Sequence, residues 1–447
     1  MAHRIATSAT AVALIAASAL LFGACGGSSD DPPLDTPGAT RTPAPAPSST
    51  PTPAASPTPA LATFCESGLT GLVVAGSGEN FLVGLSRNIA QYESRAEALR
   101  FNAAGERQDE DPLIVSQTGG PGTPSFRVDG ATATNDAFQV GIAGGIGLDS
   151  GAWRSLVQHR AVPFAGAITA DAIDDASNVP IGTCRTDLNE KDGIVPTLDG
   201  SDIHRVEGWA AGCDGEILLE WFNGLPGAPM GPGPQQPDTT MGSPALARGS
   251  AQVAGVYFLA TTPPQLPDVN RHLAAGWLES ASEVEEPADG ERLVLTPIEY
   301  VTSVSPALAA LGETFLAAWA SAPASGGSTA TEIRRMRFDA DSGALDPAGG
   351  LVEAGGGGAI HGPVAASNGT HFRLLWGEQD GSSLALWTRQ FAESGSPVEA
   401  NPVRVVEILP DDPFALAATA DATLAAWLTA STENPDETCL HVLPISD

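Results

Sequence analysis

Ser305-Pro306-Ala307-Leu308-Ala309-Ala310, then Gly312, then Phe315-Leu316-Ala317-Ala318-Trp319, is the stretch that decides the fold. It reads as an apolar strand, a tight turn, and a second apolar strand ending on Trp. The unit returns at Gly362-Pro363-Val364-Ala365-Ala366 with Phe372-Arg373-Leu374-Leu375-Trp376, and at Pro413-Phe414-Ala415-Leu416-Ala417-Ala418 with Leu424-Ala425-Ala426-Trp427. Weaker copies lie upstream. Pro244-Ala245-Leu246-Ala247 leads to Val256-Tyr257-Phe258-Leu259, and Pro196-Thr197-Leu198 leads to Val206-Glu207-Gly208-Trp209. Pro124-Ser125-Phe126 leads to Phe138-Gln139-Val140-Gly141-Ile142, and Leu72-Val73-Val74 to Phe81-Leu82-Val83-Gly84-Leu85. The positions equivalent to Trp319 fall at intervals of 57, 67, 50, 60, 57 and 51 residues.

A third strand follows each pair and closes on a Gly or Asp turn. Ala98-Leu99-Arg100-Phe101, Ile333-Arg334-Arg335-Met336-Arg337-Phe338 and Leu384-Ala385-Leu386-Trp387-Thr388-Arg389-Gln390-Phe391 are this element. A fourth apolar stretch comes next, as in Val403-Arg404-Val405-Val406-Glu407-Ile408. Four short strands per unit, with no sustained 3.6-residue period, match a propeller blade and argue against an α/β fold. The expected fold is an all-β, seven-bladed β-propeller spanning residues 62–447; a string of β-sandwich domains would not need a repeat of this length. The pattern resembles propeller lipoproteins of secreting bacteria. It lacks the sialidase Asp-box and the Trp-Asp and kelch signatures, so no functional family follows from it.

The first residues carry a separate message. Arg4 precedes an apolar run from Ala11 to Phe22, which ends in Leu21-Phe22-Gly23-Ala24-Cys25. The run is too short for a confident membrane span. It resembles the lipobox of bacterial lipoproteins, with Phe22 where that box usually carries Leu. The resemblance implies a signal peptide at 1–24 and lipidation of Cys25. Gly26 in place of an Asp after that Cys implies the outer membrane; the competing reading is a plain secretory signal. Residues 26–61 hold ten prolines among Ser, Thr, Ala and Gly and almost no large apolar side chain. With the lipidated Cys, 25–61 is expected to be a disordered linker, reaching up to about 100 Å at roughly 3.1 Å per residue.

Four further cysteines remain for an oxidising compartment: Cys65, Cys184, Cys213 and Cys439. The last repeat runs out of chain after three strands, and Leu61-Ala62-Thr63-Phe64-Cys65 is free to supply the fourth. Antiparallel pairing would put Cys65 and Cys439 at the same end, so a Cys65–Cys439 disulfide should staple the ring. Cys184 and Cys213 lie in connections of the third repeat that open on one face, and a bond between them fits. Free buried thiols are the alternative.

Composition excludes more than it assigns. The chain of 447 residues has 21 Lys and Arg against 53 Asp and Glu, a formal charge of −32. No basic face remains for nucleic acid or for electrostatic docking on anionic lipid. The only lysine, Lys191, follows Glu190 rather than a Gly-rich run, so no phosphate loop exists. Histidines 3, 159, 204, 272, 361, 371 and 441 show no metal spacing, and neither metal nor cofactor is expected. Asp339-Ala340-Asp341-Ser342-Gly343 begins like a calcium loop, but Asp346 comes too early to close one. Asp149-Ser150-Gly151 is no nucleophile elbow, and Asp174-Asp175 and Asp411-Asp412 read as solvated loop charge.

The tryptophans at strand positions (209, 319, 376, 427, 221, 277, 387) read as packing between blades. Trp153 is expected on a long turn, Gly144 to Arg154, where it either stacks on a ligand or packs its own loop. The candidate ligand residues are those at blade entries and at the turns between second and third strands: Tyr92, Asp149, Trp153, Arg154, Asp268, Arg271, His361 and Asp380. The expected protein is a monomeric, membrane-anchored binding or scaffold module of the cell envelope, recognising a protein or a glycan. The alternative is a carbohydrate-active hydrolase or lyase using acidic residues at the channel mouth; fold alone does not choose. Radiolabelled palmitate should be incorporated by the wild type and lost in Cys25→Ser. Equal labelling of both would remove the anchor.

Overall fold

The computed structural model describes residues 61–90, 93–117, 125–147, 153–168, 173–180, 193–211, 216–223, 245–260, 270–280, 293–294, 299–300, 306–321, 329–339, 341–347, 350–355 and 358–445. All of these lie within the unit 57–447 of the two into which the chain divides. It is all-β, with every strand pairing antiparallel.

The strands group into seven sheets. Strand β1 (Ala62–Ser67) belongs to the last of them. The first sheet holds β2 (Leu69–Ser77), β3 (Asn80–Ala90), β4 (Glu93–Asn102) and β5 (Leu113–Gln117). The second holds β6 (Ser125–Ala133), β7 (Ala137–Gly147), β8 (Trp153–Pro163) and β9 (Ile173–Pro180). The third shows β10 (Gly193–Pro196), β11 (Ile203–Ala211) and β12 (Glu216–Asn223). The fourth contains β13 (Ala245–Arg248), β14 (Gln252–Ala260), β15 (Asn270–Ser280), β16 (Leu293–Val294) and β17 (Glu299–Tyr300). The fifth contains β18 (Ala307–Leu311), β19 (Thr314–Ser321), β20 (Glu332–Asp339), β21 (Gly343–Ala344) and β22 (Leu351–Gly355). The sixth holds β23 (Ile360–Ser367), β24 (His371–Asp380), β25 (Ser383–Ala392) and β26 (Val403–Ile408). The seventh runs β27 (Phe414–Ala418), β28 (Thr423–Ala430), β29 (Glu437–Ile445) and then β1.

The leading strands pack side by side in a cycle. β2 lies against β6, β6 against β10, β10 against β13, β13 against β18, β18 against β23, β23 against β27, and β27 against β2. This is the propeller-type arrangement that the repeat implies. The first, fifth, sixth and seventh sheets carry an apolar core on both faces, and β19 is accordingly buried from Phe315 to Ser321 instead of alternating. Among the described residues, apolar cores fill five seams: seventh to first, first to second, fourth to fifth, fifth to sixth and sixth to seventh.

One device recurs in the repeat. A Phe opening the second strand faces an aromatic near the end of the third: Phe81 with Phe101, Phe315 with Phe338, and Phe372 with Phe391. All six are essentially fully buried. The chain then turns at Gly105, Gly343 or Gly395, each at positive φ, where a side chain would be strained. Nine residues after the third strand's Arg or Gln, a carboxylate accepts that residue's backbone N–H. The pairs are Arg100 to Asp109 (2.8 Å), Arg337 to Asp346 (2.7 Å) and Gln390 to Glu399 (2.8 Å). The two arginines also donate to the next sheet, at the carbonyls of Pro163 (3.0 Å) and Glu393 (2.9 Å). Asp346 is thereby committed to Arg337, and Asp339 accepts from Ser342 N–H, so this turn is a hairpin turn.

Several expected positions shift. Trp153 and Arg154 do not sit on a turn: they open β8, opposite Gly147 and Ile146, because β7 runs on through Gly144-Gly145. His361 is the second residue of β23, not part of the preceding loop. Pro363 lies inside β23, at a register shift beside Gly362, and Pro196 ends β10 instead of starting a strand. The last sheet's third strand begins at Glu437 and its closing strand continues to Ser67, both longer than the apolar run alone suggests.

The closing strand pairs as the cysteines imply. Cys65 lies directly opposite Cys439, and the two are disulfide-bonded across 374 residues of sequence. His441 bridges three strands, contacting Thr63 Oγ1 (3.2 Å) and Thr429 Oγ1 (2.9 Å) and stacking on Trp427. Burial lowers its pKa below the usual histidine range. Cys25, Cys184 and Cys213 lie outside the described residues. On a loop-entropy model the long closure is worth up to about 5 kcal/mol. The double variant Cys65→Ser/Cys439→Ser should therefore melt several degrees lower than the wild type, and dithiothreitol should lower the wild type by at least as much. A wild-type melting temperature indifferent to reductant would show that strand pairing alone closes the ring.

Candidate functional site

The two ends of the sheets differ in what occupies them. At the end where first strands turn into second strands, consecutive sheets are tied turn to turn. Asn135 N–H donates to Gly200 O (2.8 Å), Arg248 to Leu198 O (2.6 Å) and Ser250 N–H to Gly312 O (2.8 Å). Asp199 lies in this network and accepts from Thr197 Oγ, Ser201 N and Ser201 Oγ, which hold its pKa at about 2. The Arg–carboxylate clamps of the third strands finish at this end too.

The expected candidates that fall among the described residues lie at the other end, where second strands turn into third strands and sheets are entered. His361, half-buried near the start of β23, and Asp380, exposed at the last position of β24, share that end of the sixth sheet. Trp153 and Arg154 open β8, and Arg271 is the second residue of β15, opposite Ala260 and Glu299. Tyr92, Asp149 and Asp268 lie outside the described residues. Asp412, at the entry to the seventh sheet, accepts from Leu409 N–H (2.9 Å), and burial raises its pKa. It shapes a turn. Among the described residues no group of three or more His, Cys, Asp or Glu side chains is placed to hold a metal ion.

A cluster at this end escapes simple motif reading. In β4, alternation puts Glu93, Arg95 and Glu97 on the face that carries Leu99 and Phe101 into the core shared with the seventh sheet. Glu97 is 2% exposed and lies opposite Leu85. Two guanidinium groups flank its Oε1, Arg87 at 3.6 Å and Arg95 at 3.9 Å, both beyond hydrogen-bond length. Each arginine is also held by another carboxylate: Arg87 by Glu66 at 2.7 Å, Arg95 by Glu93 at 3.7 Å. Glu66 and Ser67, whose carbonyl accepts from Arg87 Nε (3.1 Å), are the last residues of β1. The closing strand, pinned one residue earlier by the disulfide, thus places Arg87.

Burial is the largest influence on Glu97 and raises its carboxyl pKa; Arg87 and Arg95 pull it down, and Glu66 pushes it up further. Its Oε2 and the Nε of Arg95 are both buried and have no hydrogen-bond partner among the described residues. The arrangement offers a buried acceptor, a buried donor and a carboxyl whose pKa burial raises. The sequence places charges at every second position from Glu93 to Glu97, a pattern that does not by itself tell a buried face from a solvated one.

No family model and no curated protein matches the chain. Among solved structures it is similar to an ulvan lyase of a polysaccharide lyase family (TM-score 0.47, 12% identity, covering 85% of this chain and 94% of that one). It is also similar to the β-propeller domain of a protease from Pyrococcus furiosus (TM-score 0.40, 9% identity, 81% and 92% covered). A third likeness is to a GH43_1 enzyme from Xanthomonas citri (TM-score 0.37, 9% identity, 85% and 88% covered). At these scores the likenesses carry no activity or substrate to this chain.

Raising a carboxyl pKa in the folded state means that the folded protein keeps its proton longer than the unfolded chain. Ionisation of Glu97 therefore costs stability as pH rises through the unfolded value of 4.5 towards the higher folded one. The melting temperature of Glu97→Gln relative to wild type should climb as pH rises past 4.5. A difference that stays flat or falls above that pH would mean the arginine pairs outweigh burial.

Proposed function

We propose that this chain is a lipid-anchored propeller of the bacterial cell envelope that binds a protein or glycan ligand at the end where second strands turn into third strands. The observation that carries it is the contrast between the ends: one is tied by turn-to-turn bonds between sheets, the other holds the buried charged cluster of Glu97, Arg87 and Arg95. The seven sheets are taken as seven blades of one ring, which the cyclic packing of their leading strands supports. Residues 1–24 serve as signal peptide, Cys25 as lipid anchor at the outer membrane, and 26–61 as stalk. Cys184 and Cys213 form a second disulfide, and the protein works as a monomer. Its charge of −32 excludes nucleic acid as partner.

A second reading is a carbohydrate-active hydrolase or lyase. The raised pKa of Glu97 favours it, because a general acid needs a carboxyl that keeps its proton near neutral pH. Tyr92, Asp149, Trp153, Arg154, Asp268, Arg271, His361 and Asp380 remain the surrounding ligand candidates.

The test compares the two ends in the full chain. Cross-linking capture from native envelopes, run beside a glycan array, should lose its ligand in His361→Ala/Asp380→Ala or Arg95→Ala. It should keep the ligand in Glu79→Ala/Asp421→Ala, which alters exposed turns at the opposite end. Loss confined to the second pair would move the site to the other face. Sugar release from the captured glycan, abolished in Glu97→Gln, would select the enzyme.

A further inference from the structure

We propose that the Cys65–Cys439 disulfide is a redox-sensitive latch. A dithiol that reduces it frees β1 to move away at Gly68, and β1 takes with it two of the contacts that place Arg87. The proposal stands whatever ligand the open end takes.

Access decides which sulfur is attacked. A thiolate displaces one sulfur of a disulfide by approaching the other in line with the S–S bond. Here the bond joins directly opposite residues of β29 and β1. β1 is the outermost strand of its sheet, and among the described residues no further strand pairs with it. Cys65 is exposed, whereas Cys439 is only 6% exposed. The attacker therefore meets Cys65 Sγ from the open edge, and Cys439 leaves as the thiolate. The second thiol of the reductant then attacks the mixed disulfide and releases Cys65. Two electrons and two protons pass to the cysteines, which end as two thiols, while the dithiol ends as a disulfide. Exposed disulfides are the class that such exchange reaches most readily.

Little else holds β1. Its ladder is one-sided and six residues long, and Thr63, Cys65 and Ser67 are exposed. Only Ala62 and Phe64 pack on the core, and Thr63 Oγ1 contacts His441 (3.2 Å). An edge strand of this kind opens at a lower free energy than the ring as a whole. Gly68, at φ +78°, ends the strand, and its carbonyl accepts from Asn88 N–H (2.8 Å), so opening stops there and β2 stays in place. Between latch and pivot sit Glu66 and Ser67. Glu66 pairs with Arg87 at 2.7 Å, and the Ser67 carbonyl accepts from Arg87 Nε at 3.1 Å. Arg87 lies 3.6 Å from Glu97, so release of β1 couples the redox state of the sheet edge to the buried cluster. The clamps of Arg100 on Asp109 and Arg335 on Glu353 involve no residue of β1.

Arginine reactivity in the full chain supplies the test. The protein in detergent is treated with dithiothreitol without denaturant, alkylated with iodoacetamide, then exposed to phenylglyoxal, and every site is followed by peptide mass mapping. Cys65 and Cys439 should be alkylated, and Arg87 should react at least about fivefold faster than in the oxidised chain. Arg100 and Arg335 should keep their rates. Cys65→Ser/Cys439→Ser should show the fast Arg87 reaction without reductant or alkylation. A disulfide that resists dithiothreitol until the protein unfolds would be a permanent staple and no latch. Reduction with an unchanged Arg87 rate would show β1 still docked and overturn the coupling. Acceleration at all three arginines would mean that the ring itself comes apart, with no separate strand release.

Discussion

Ring closure is the constraint on which this structure depends. A sheet packed between two neighbours must be apolar on both faces, and a cycle of such sheets leaves no free face only if the last meets the first. The seventh sheet reaches that state by borrowing β1, a strand encoded 374 residues away from its disulfide partner in β29. The core shared by the seventh and first sheets, with Leu85, Leu99 and Phe101 on one side and Leu428, Leu440 and Val442 on the other, exists because that strand is in place. Phe64 and Ala62 of β1 pack against the same core. Closure is therefore a packing event that the disulfide makes hard to reverse.

The same strand connects fold to chemistry. Glu66 and Ser67 follow the cysteine immediately and both hold Arg87, which in turn faces Glu97. A carboxylate buried at 2% exposure would be untenable without cations nearby, yet the cations here are shared with other carboxylates. The balance leaves Glu97 inclined to keep a proton. The contrast with the triad between the fifth and sixth sheets is instructive. There Glu353 takes Arg335 through one oxygen and Arg389 through the other at 2.8 Å, and Arg335 also stacks over Phe391. Both oxygens of Glu353 are satisfied, although Arg335 Nη1 is buried without a hydrogen-bond partner among the described residues. One oxygen of Glu97 is not satisfied.

How much of this the sequence displayed follows from what period and spacing encode. Strand existence, the repeat and the partner of Cys65 were legible, because an apolar run ending on Trp recurs and an unfinished last repeat needs a strand. Boundaries were less so. Gly144-Gly145 looks like a turn, but as part of β7 it pairs with Leu156 and Ser155, since glycine fits a ladder that tertiary packing demands. The same preference for turn residues put Trp153 and His361 in loops, although both are in strands. The candidate site was legible only as an end of the ring. Glu97 was hidden among the surface charges of an acidic chain, because one-dimensional patterns do not say which face of β4 meets the seventh sheet until β1 closes it.

Acidity itself acquires a physical role once the arginines are located. Arg100, Arg335, Arg337 and Arg389 are spent as clamps, each on a carboxylate or a neighbouring sheet's carbonyl. Few cations are left to balance the outer surface, which therefore stays strongly negative. Such a field keeps rings apart and raises the barrier to any anionic ligand. Burial raises the Glu97 pKa, and the nearby Glu66 raises it further. The clamps that build the ring and the chemistry at its open end are thus two consequences of one shortage of positive charge.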